Sequence, residues 1–420
     1  MYKNTAIICF VSNFFQISVF FISTYYFIIS FFSFARRKNI KIIEKLNSYA
    51  IVIAAHNEQN VICDILRSLR KLDYSRKKYD IFVVADNCTD STALNAKKCG
   101  AKVFERFDTV NCGKGFALDF AFKKILDLPV KYDFFAVFDC DNIIRKDFFD
   151  HINKQVNAGY KAVQGRIESK NPFDSLISLS IATWYWINNR TFQLSRHNLG
   201  ISCQIGGTGF VVETSLIDKI GWSSYCIAED AEFTLKLAIK DIKVGYSYDA
   251  QVFDEKPIKL KTSIMQRIRW AKGIAKSGFN FIIPLFKKGI KEKKLQPFND
   301  LLTFFSSSLF PILYVLLLLF DIKAIKIILN SKGYFIFNNI WTIPTNFILL
   351  NTILIGELFV IFYGLYKDKK IGKYILSGIF GYIFYIISWV PIVFIGIFKK
   401  RENDWFHTPH KTNQKPDDLG

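Results

Sequence analysis

Two aspartates separated by one residue carry the clearest chemical signal in the sequence. An apolar run at residues 134–138 is followed by Asp139, Cys140 and Asp141. Carboxylates two positions apart at the end of a strand can hold a hard divalent cation together with a diphosphate. A solvated turn is the alternative for a bare pair of this kind. The metal interpretation therefore depends on what else converges on the same part of the fold.

Other carboxylates follow apolar runs in the same way. Asp86 closes one such run and could accept hydrogen bonds from a nucleobase or a ribose, whereas a turn or helix cap is the simpler alternative. Glu58 follows an earlier run and offers the same choice. Glu229 and Asp230 precede a pattern typical of a buried helix, where the helix dipole alone would favour acidic residues. The functional interpretation is a general base that takes the proton of an acceptor hydroxyl.

Two small loops could complete such a site. Lys114 lies in the glycine-bounded stretch 111–115 and could contact a phosphate, although the glycine spacing of a P-loop is absent. Gly207 and Thr208 belong to the glycine-rich stretch 206–210, whose flexibility suits a close approach to a bound sugar.

A basic and aromatic motif lies further along the chain. Gln266 and Arg269 are three residues apart and would share one helical face, and Trp270 follows directly. The arginine can pair with both oxygens of a diphosphate, and the tryptophan face can stack on a sugar. An amphipathic helix at a membrane surface, with a snorkelling arginine and an anchoring tryptophan, is the alternative.

Short apolar runs and helical patterns alternate from about residue 48 to about residue 282. The predicted elements are strands at 50–55, 80–85 and 134–138 and helices at 60–69 and 92–99. This alternation predicts an α/β fold with a mostly parallel sheet. Ligands of such sheets bind beyond the carboxyl ends of the strands. We therefore expect Glu58, Asp86 and Asp139 to lie on one rim.

Long apolar stretches flank this block on both sides. The first, Ile7–Phe34, is longer than the apolar core of a signal peptide and is followed by a basic cluster at residues 36–38. A retained membrane helix with the next segment in the cytosol is the better interpretation. The later stretches long enough to span a bilayer are Leu301–Phe320, Phe347–Tyr366, which contains Glu357, and Tyr374–Phe398. An intramembrane Glu357 would be functional or paired, or would lie near an interface.

The basic residues around these stretches give conflicting indications. Two segments, Lys261–Ala275 and Phe279–Phe286, are predicted to lie flat on the cytosolic membrane surface. The lysines at 367–373 should also be cytosolic. Three spans after a cytosolic domain then place the basic residues 399–401 outside, against the usual bias. A re-entrant segment, a contribution from Ile322–Ile343 or an exceptional tail would each resolve the conflict.

Composition narrows the class of protein. Half of the 420 residues are hydrophobic, and 56 basic against 36 acidic residues give a net charge of +20. The charges are spread through the polar block and clustered beside apolar runs, as anionic lipid headgroups would favour, so we do not expect nucleic-acid binding. The 8 cysteines form no Cys-x-x-Cys pair. Scattered free thiols suit a reducing compartment.

Along the chain, four signatures follow one another: Asp86, Asp139 with Asp141, Glu229 with Asp230, and Gln266 with Arg269 and Trp270. In this chain order they resemble the signatures of the family 2 glycosyltransferases. More narrowly, they resemble the membrane-bound branch with cellulose, hyaluronan and poly-N-acetylglucosamine synthases and ceramide glucosyltransferase. The resemblance covers roughly Ile51–Gly273 and the flanking spans. It implies a GT-A fold, a UDP-sugar donor, Mg²⁺ or Mn²⁺ as cofactor, and inversion at the anomeric carbon. One departure is Ala228, where the family often has threonine before the Glu-Asp pair, and it bears on the acceptor more than on activity.

The resemblance also implies roles for the residues of its four signatures. Asp230 would be the catalytic base, with Glu229 beside it, and Asp139 and Asp141 would hold the metal and the diphosphate. Asp86 would bind uridine, and Gln266, Arg269 and Trp270 would close over the diphosphate and the acceptor. From their own sequence context, we predict that Glu58 and Lys114 join Asp86 and Asp139 in binding the nucleotide sugar, and that Gly207 and Thr208 contribute to the closure.

We therefore predict a multi-pass inverting glycosyltransferase of the plasma (inner) membrane with a cytosolic catalytic domain. The expected parts are an N-terminal membrane helix and basic flank (1–38), a GT-A domain (48–257), interface helices (258–296), a transmembrane region (297–398) and a polar tail (399–420). The expected partners are a UDP-sugar, the acceptor and membrane lipids; the sequence does not specify an accessory subunit. A growing β-linked polysaccharide is the preferred acceptor. The alternatives are a single transfer to a membrane lipid and a catalytically inactive transport or scaffold protein.

Overall fold

The computed structural model describes residues 2–35, 45–222, 228–305 and 342–399, together with a few isolated positions between 312 and 322. Several predicted features lie outside these residues. They are the basic cluster at 36–38, most of the stretches 301–320 and 322–343, and the tail beyond 399.

An eight-stranded sheet forms the centre of the described chain. Its strands are β1 (Tyr49–Ala55), β2 (Tyr79–Asp86), β3 (Lys102–Arg106), β4 (Phe134–Asp139), β5 (Ile143–Ile144), β6 (Ala162–Ser169), β7 (Phe210–Glu213) and β8 (Val244–Asp254). The order is β3-β2-β1-β4-β7-β6-β8-β5. The first four strands are mutually parallel, as the alternating pattern predicts. β7 is antiparallel to both of its neighbours, so the sheet is mixed in its second half.

Helices cover both faces of the sheet. They are α2 (Ile62–Arg70), α3 (Thr92–Lys98), α4 (Lys114–Leu126), α5 (Phe148–Asn157), α6 (Leu176–Ile187), α7 (Ser195–Asn198), α8 (Thr214–Ile220) and α9 (Glu229–Ile239). A π-helix, Asn188–Leu194, continues α6. Side chains of β1 alternate between two cores, with Ile51 and Ile53 on one face and Val52 on the other. Burial on both faces explains why this strand reads as a continuous apolar run.

One long helix, α10 (Leu260–Glu292), carries the Gln-x-x-Arg-Trp motif. The two predicted interface segments are therefore parts of a single helix, with Pro284 inside it. Its second half exposes an apolar stripe at helical spacing, which includes Phe279, Ile283, Phe286 and Ile290.

The remaining described helices are α1 (Tyr2–Phe31), α11 (Thr342–Lys367), α12 (Ile375–Ile387) and α13 (Trp389–Phe398). By length and composition, two described segments could cross a membrane: Asn13–Phe34 and Ile375–Phe398. Helices α1 and α11 run in the same direction, because Phe27 lies against Gly356 and Phe34 against Tyr363. Both helices end beside the catalytic domain, because Arg190 of the π-helix donates to the Ser33 carbonyl and forms an ion pair with Asp368.

The cysteine pattern differs from the prediction of free thiols. Cys63 on α2 and Cys99 after α3 form a disulfide in the structure. They are 36 residues apart, and only the packing of α2 beside α3 brings them together. Cys88, Cys112 and Cys140 are free. The argument from scattered thiols for a reducing compartment therefore does not hold for this pair.

Candidate active site

A cavity of about 1140 Å³ opens beyond the carboxyl ends of β1, β2 and β4 and extends beneath α10. Every predicted site residue lines this cavity, although some of the motifs are more than 100 positions apart in the sequence. They are Glu58, Asp86, Lys114, Asp139, Asp141, Gly207, Thr208, Glu229, Asp230, Gln266, Arg269 and Trp270. The structure thus brings the residues together, while the role of each stays a prediction.

The two aspartates after β4 have different surroundings. Asp139 is partly exposed, and its Oδ1 lies 2.6 Å from Lys114 Nζ. Asp141 is buried, and its Oδ2 accepts a hydrogen bond from the backbone N–H of Glu255 at 3.0 Å. Asp139 can therefore exchange its partner for a ligand, whereas Asp141 is held in place by the backbone.

The donor set of this pair suits a hard cation shared with phosphate. Across the described ranges, no group of three or more histidine, cysteine, aspartate or glutamate side chains is arranged to hold a metal ion. Mg²⁺ typically takes one or two carboxylates, with the other ligands from substrate phosphates and water. Asp139 and Asp141 fit that pattern, in which the protein alone does not complete the coordination.

The glycine-rich loop 206–209 contacts both Asp139 and Asp230. Thr208 Oγ1 accepts a hydrogen bond from the backbone N–H of Asp139 at 3.0 Å. Gly207 has a φ of +85°, and a Cβ there would lie 3.2 Å from an oxygen of Asp230. A glycine is needed because a side chain would be strained and would crowd that oxygen. Gln164, which sequence reasoning missed, holds the loop by donating to the Thr208 carbonyl at 2.8 Å.

Asp86 is part of a buried ion pair. Its Oδ1 accepts a hydrogen bond from Arg106 Nη1 at 2.6 Å, and both side chains are buried. Arg106 also donates to the carbonyl of Asn111 in the loop before α4. Sequence reasoning missed Arg106 because its partner is fixed by the register of β3 against β2, which pairs Asp86 with Arg106.

Glu229 and Asp230 form the first turn of α9 and lie in the floor of the cavity. Burial raises the pKa of Glu229 to about 7, against the opposing effect of Lys114, whose Nζ lies 3.7 Å away. Burial also raises the pKa of Asp230, although its Oδ1 accepts a hydrogen bond from the Ala231 N–H at 2.8 Å. Carboxylates with raised pKa values in a cavity are suited to proton transfer near neutral pH.

Lys114 connects the aspartate and glutamate sides of the cavity. Its Nζ donates to the Gly207 carbonyl at 2.7 Å and lies between Asp139 and Glu229. Burial works against the charged form, but these two carboxylates together raise the pKa of Lys114. The lysine therefore stays charged and could bind a diphosphate.

Arg269 faces the carboxylates from α10. Burial lowers its pKa, although Glu229 and Asp139 counteract this effect. Its Nε is buried and has no hydrogen-bond partner among the described atoms. A buried guanidinium with an unused donor on a cavity wall suits an anionic ligand, because an unpaired buried donor is costly. Trp270 beside it stacks on Trp389 with ring centroids 6.5 Å apart.

The far half of the cavity is lined by helices and is mostly apolar. Val360 and Ile361 come from α11, and Tyr382 and Ile386 from α12. Glu357 of α11 lines the same half. Of these residues, sequence reasoning singled out only Glu357, because an apolar residue in a spanning pattern gives no sign of which side it faces.

The comparison with protein families decides the class. A family described as "Glycosyltransferase like family 2" matches residues 47–273, which contain the whole sheet and all of the predicted site residues. The chain belongs to this glycosyltransferase family. The predicted resemblance is thereby confirmed.

The relatives of this chain include enzymes named for different products. The chain is 27% identical over 282 residues to a probable glycosyltransferase, YdaM, of Bacillus subtilis, covering 64% of this chain and 63% of the relative. It is 27% identical to a β-monoglucosyldiacylglycerol synthase of a Nostoc species, and the match covers 53% of this chain and 48% of the relative. It is 26% identical to a poly-β-1,6-N-acetyl-D-glucosamine synthase of Staphylococcus epidermidis, covering 65% of each. The matched part thus spans about half to two thirds of these relatives.

A solved structure supports the fold assignment. A mannosyltransferase of Pyrobaculum calidifontis, determined with GDP-mannose and Mn²⁺, aligns with a TM-score of 0.57 and 15% identity, covering 94% of this chain and 99% of that one. The predicted α/β fold of GT-A type with additional helices is confirmed.

Proposed function

We propose that this glycosyltransferase moves a sugar from a UDP-sugar to an acceptor hydroxyl at a membrane, with inversion at the anomeric carbon. The observation that carries the proposal is the shared cavity, in which Asp230, Asp139 and Arg269 face one another. The proposed organisation keeps the predicted parts, with a catalytic domain at 48–257 and α10 as its interface helix. The proposed location is the inner membrane with the cavity on the cytosolic side.

The rim of the sheet would bind the donor. Asp86, oriented by Arg106, would accept a hydrogen bond from the uracil, and Glu58 lines the same end. Lys114 and Arg269 would pair with the diphosphate. Asp139 and Asp141 would hold Mg²⁺ or Mn²⁺, which when bound neutralises charge on the diphosphate.

Asp230 would act as the base. Its carboxylate would take the proton of the acceptor hydroxyl while that oxygen forms a bond to the anomeric carbon. The bond from the sugar to the phosphate breaks on the opposite face, and UDP leaves with the electron pair. Glu229 would keep a second carboxylate beside the base, and Gly207 would let the sugar approach it closely.

A growing β-linked polysaccharide is the preferred acceptor. Trp184 and Trp270 line the cavity and are only half-buried, so sugar rings could stack on their aromatic faces. The similarity to a poly-β-1,6-N-acetyl-D-glucosamine synthase supports this choice.

A membrane lipid is the second candidate acceptor. The apolar lining by Val360, Ile361 and Ile386 would suit an acyl chain. A β-monoglucosyldiacylglycerol synthase is also among the similar proteins.

Donor turnover tests the proposal. Purified protein in nanodiscs, supplied with Mg²⁺ or Mn²⁺, would be assayed for nucleotide release across a panel of UDP-sugars, with GDP-mannose included. We expect release from a UDP-sugar that a chelator abolishes, and sizing of the labelled product separates a polymer from a glycolipid. Release from GDP-mannose alone would contradict the proposed donor, and metal-independent release would contradict the proposed cofactor.

A further inference from the structure

The segment Ile375–Phe398 has the length and composition of a membrane span, yet it packs on the catalytic domain along its whole length. Its first helix, α12, lies against α6, and a Cβ added at Gly381 would come within 2.1 Å of Ser180 Oγ. Helix α6 belongs to the domain, because Trp186 at its end donates a hydrogen bond to Glu168 of β6 at 2.9 Å. The backbones of α6 and α12 are therefore in close contact at this point.

The second half of the segment lies along α10. Arg267 donates to Ser388 Oγ at 2.6 Å, at the junction of α12 and α13. Near the other end, a Cβ added at Gly396 would lie 2.5 Å from Ala271 Cβ. Ala271 directly follows Trp270 of the site motif. The segment thus reaches the motif helix at two points and does not leave the domain between them.

This packing argues against a crossing. A straight helix from Gly381 to Gly396 would rise about 22 Å, most of the roughly 30 Å hydrocarbon core. Instead, both of these residues touch the domain. The helical backbone continues through the junction, where the N–H of Ser388 donates to the Phe384 carbonyl at 2.9 Å. The segment therefore passes from its contacts with α6 to its contacts with α10 without leaving the domain.

The loop before the segment is also fixed to the domain. Arg190 of the π-helix forms an ion pair with Asp368, and Lys370 lies 3.1 Å from Glu168. The loop therefore lies on the domain side. The opposite face of the segment is apolar and exposed, and it includes Phe380, Phe384, Ile387 and Phe394.

We propose that Ile375–Phe398 is a re-entrant wall that lies in the membrane leaflet facing the catalytic domain, with both ends on the domain side. Its exposed apolar face takes the acyl chains of that leaflet, and its inner face completes the cavity through Tyr382, Ile386 and Trp389. The inference rests on the membrane location in the proposed function, and not on the donor or the acceptor.

This arrangement removes the conflict in the charge pattern. Because α11 runs toward the domain, as α1 does, it begins on the far side and ends on the domain side. A re-entrant segment then returns the chain to the domain side at Lys399. The lysines at 367–373 and Lys399 then share one side, as the positive-inside bias requires.

Accessibility of introduced cysteines tests the topology. Lys399→Cys would be compared in the full-length protein with Lys367→Cys at the end of α11, Lys123→Cys on α4 and Thr342→Cys at the start of α11. All four variants also carry Cys112→Ser. The labelling of the Cys112→Ser protein without an introduced cysteine is measured separately and subtracted. An impermeant maleimide is applied to intact cells and to inside-out vesicles. We expect Lys399→Cys to react from the side of Lys367→Cys and Lys123→Cys; reaction from the side of Thr342→Cys would overturn the proposal.

A packing variant tests the wall independently. Gly396→Leu would meet Ala271, whereas Gly372→Leu is the matched control because no atom lies within 4 Å of its added Cβ. We expect at least a tenfold loss of turnover for the first and less than a twofold change for the second, with the labelling side unchanged in both. Equal turnover for the two variants would contradict the packing. The labelling experiment needs no activity, so its result stands even if the proposed donor is wrong.

Discussion

The two halves of the cavity differ in how they are built. The sheet half takes its charged residues from strand ends, such as Asp86 and Asp139, and from the first turn of α9. The helix half takes its mostly apolar lining from α11, α12 and α13, which are far away in sequence. Chemistry and donor binding would thus reside in the part with local motifs. The helix half would select the acceptor, although the composition of its helices is typical of membrane helices.

The largest expected effect is in the sheet half, at the base. Asp230→Asn should lower kcat by about 10²–10⁴-fold, the usual range for general base catalysis, with little change in donor KM. Asp218→Asn on the exposed side of α8 is the matched control and should keep full activity. Turnover rates over a range of donor concentrations measure both values. An Asp230→Asn enzyme within threefold of the parent would assign the base elsewhere.

Arg269 should have the next largest effect, on the donor. Removing the guanidinium in Arg269→Ala takes away a charge-assisted pair of about 1.5–3 kcal/mol, so donor kcat/KM should fall by roughly 10–100-fold. Arg269→Lys keeps the charge but not the planar fork and should recover only part of the loss. Full recovery in the lysine variant would show that charge alone matters.

The pH dependence should also report on the sheet half. Because burial raises the pKa of Glu229 to about 7 and raises that of Asp230, the carboxylates gain protons as the pH falls through this region. A protonated base cannot accept the hydroxyl proton, so kcat should fall on the acidic side. We expect the rate to decline as the pH drops below about 7, the region in which Glu229 gains its proton. A rate that stays flat from pH 8 to pH 5.5 would contradict this assignment.

The smallest effect is expected in the helix half. Ile361→Val removes one CH₂ of the apolar lining and should raise the acceptor KM by about fourfold, since each lost CH₂ contact is worth up to about 0.8 kcal/mol. Donor KM should not change, because Ile361 lies away from the sheet rim. Ile355→Val, on the same helix but facing outward, is the control. If donor KM rises instead, the two halves are not separate in function.

Local patterns explain which parts of the site could be predicted. Asp139 and Asp141 are recognisable because their spacing and the preceding strand are contiguous in sequence. Arg106 is not recognisable, since its pairing with Asp86 depends on the register of β3 against β2. The antiparallel β7 and the disulfide of Cys63 with Cys99 likewise depend on which elements pack together.

The same reasoning applies to the membrane part. Hydropathy predicts the length of the apolar segment at 374–398 but not whether it crosses the membrane. A re-entrant wall and a membrane span need the same apolar residues. What distinguishes the two is close packing at positions such as Gly381 and Gly396, which becomes visible only with α6 and α10 in place.

The most direct test of the central claim is labelled sugar transfer by purified protein and its Asp230→Asn variant, measured side by side in nanodiscs with a single UDP-sugar and Mn²⁺. The account predicts that the parent forms a labelled β-linked product and that the variant binds the same donor but forms almost none. Equal product from both proteins would contradict the assignment of the cavity as the catalytic site.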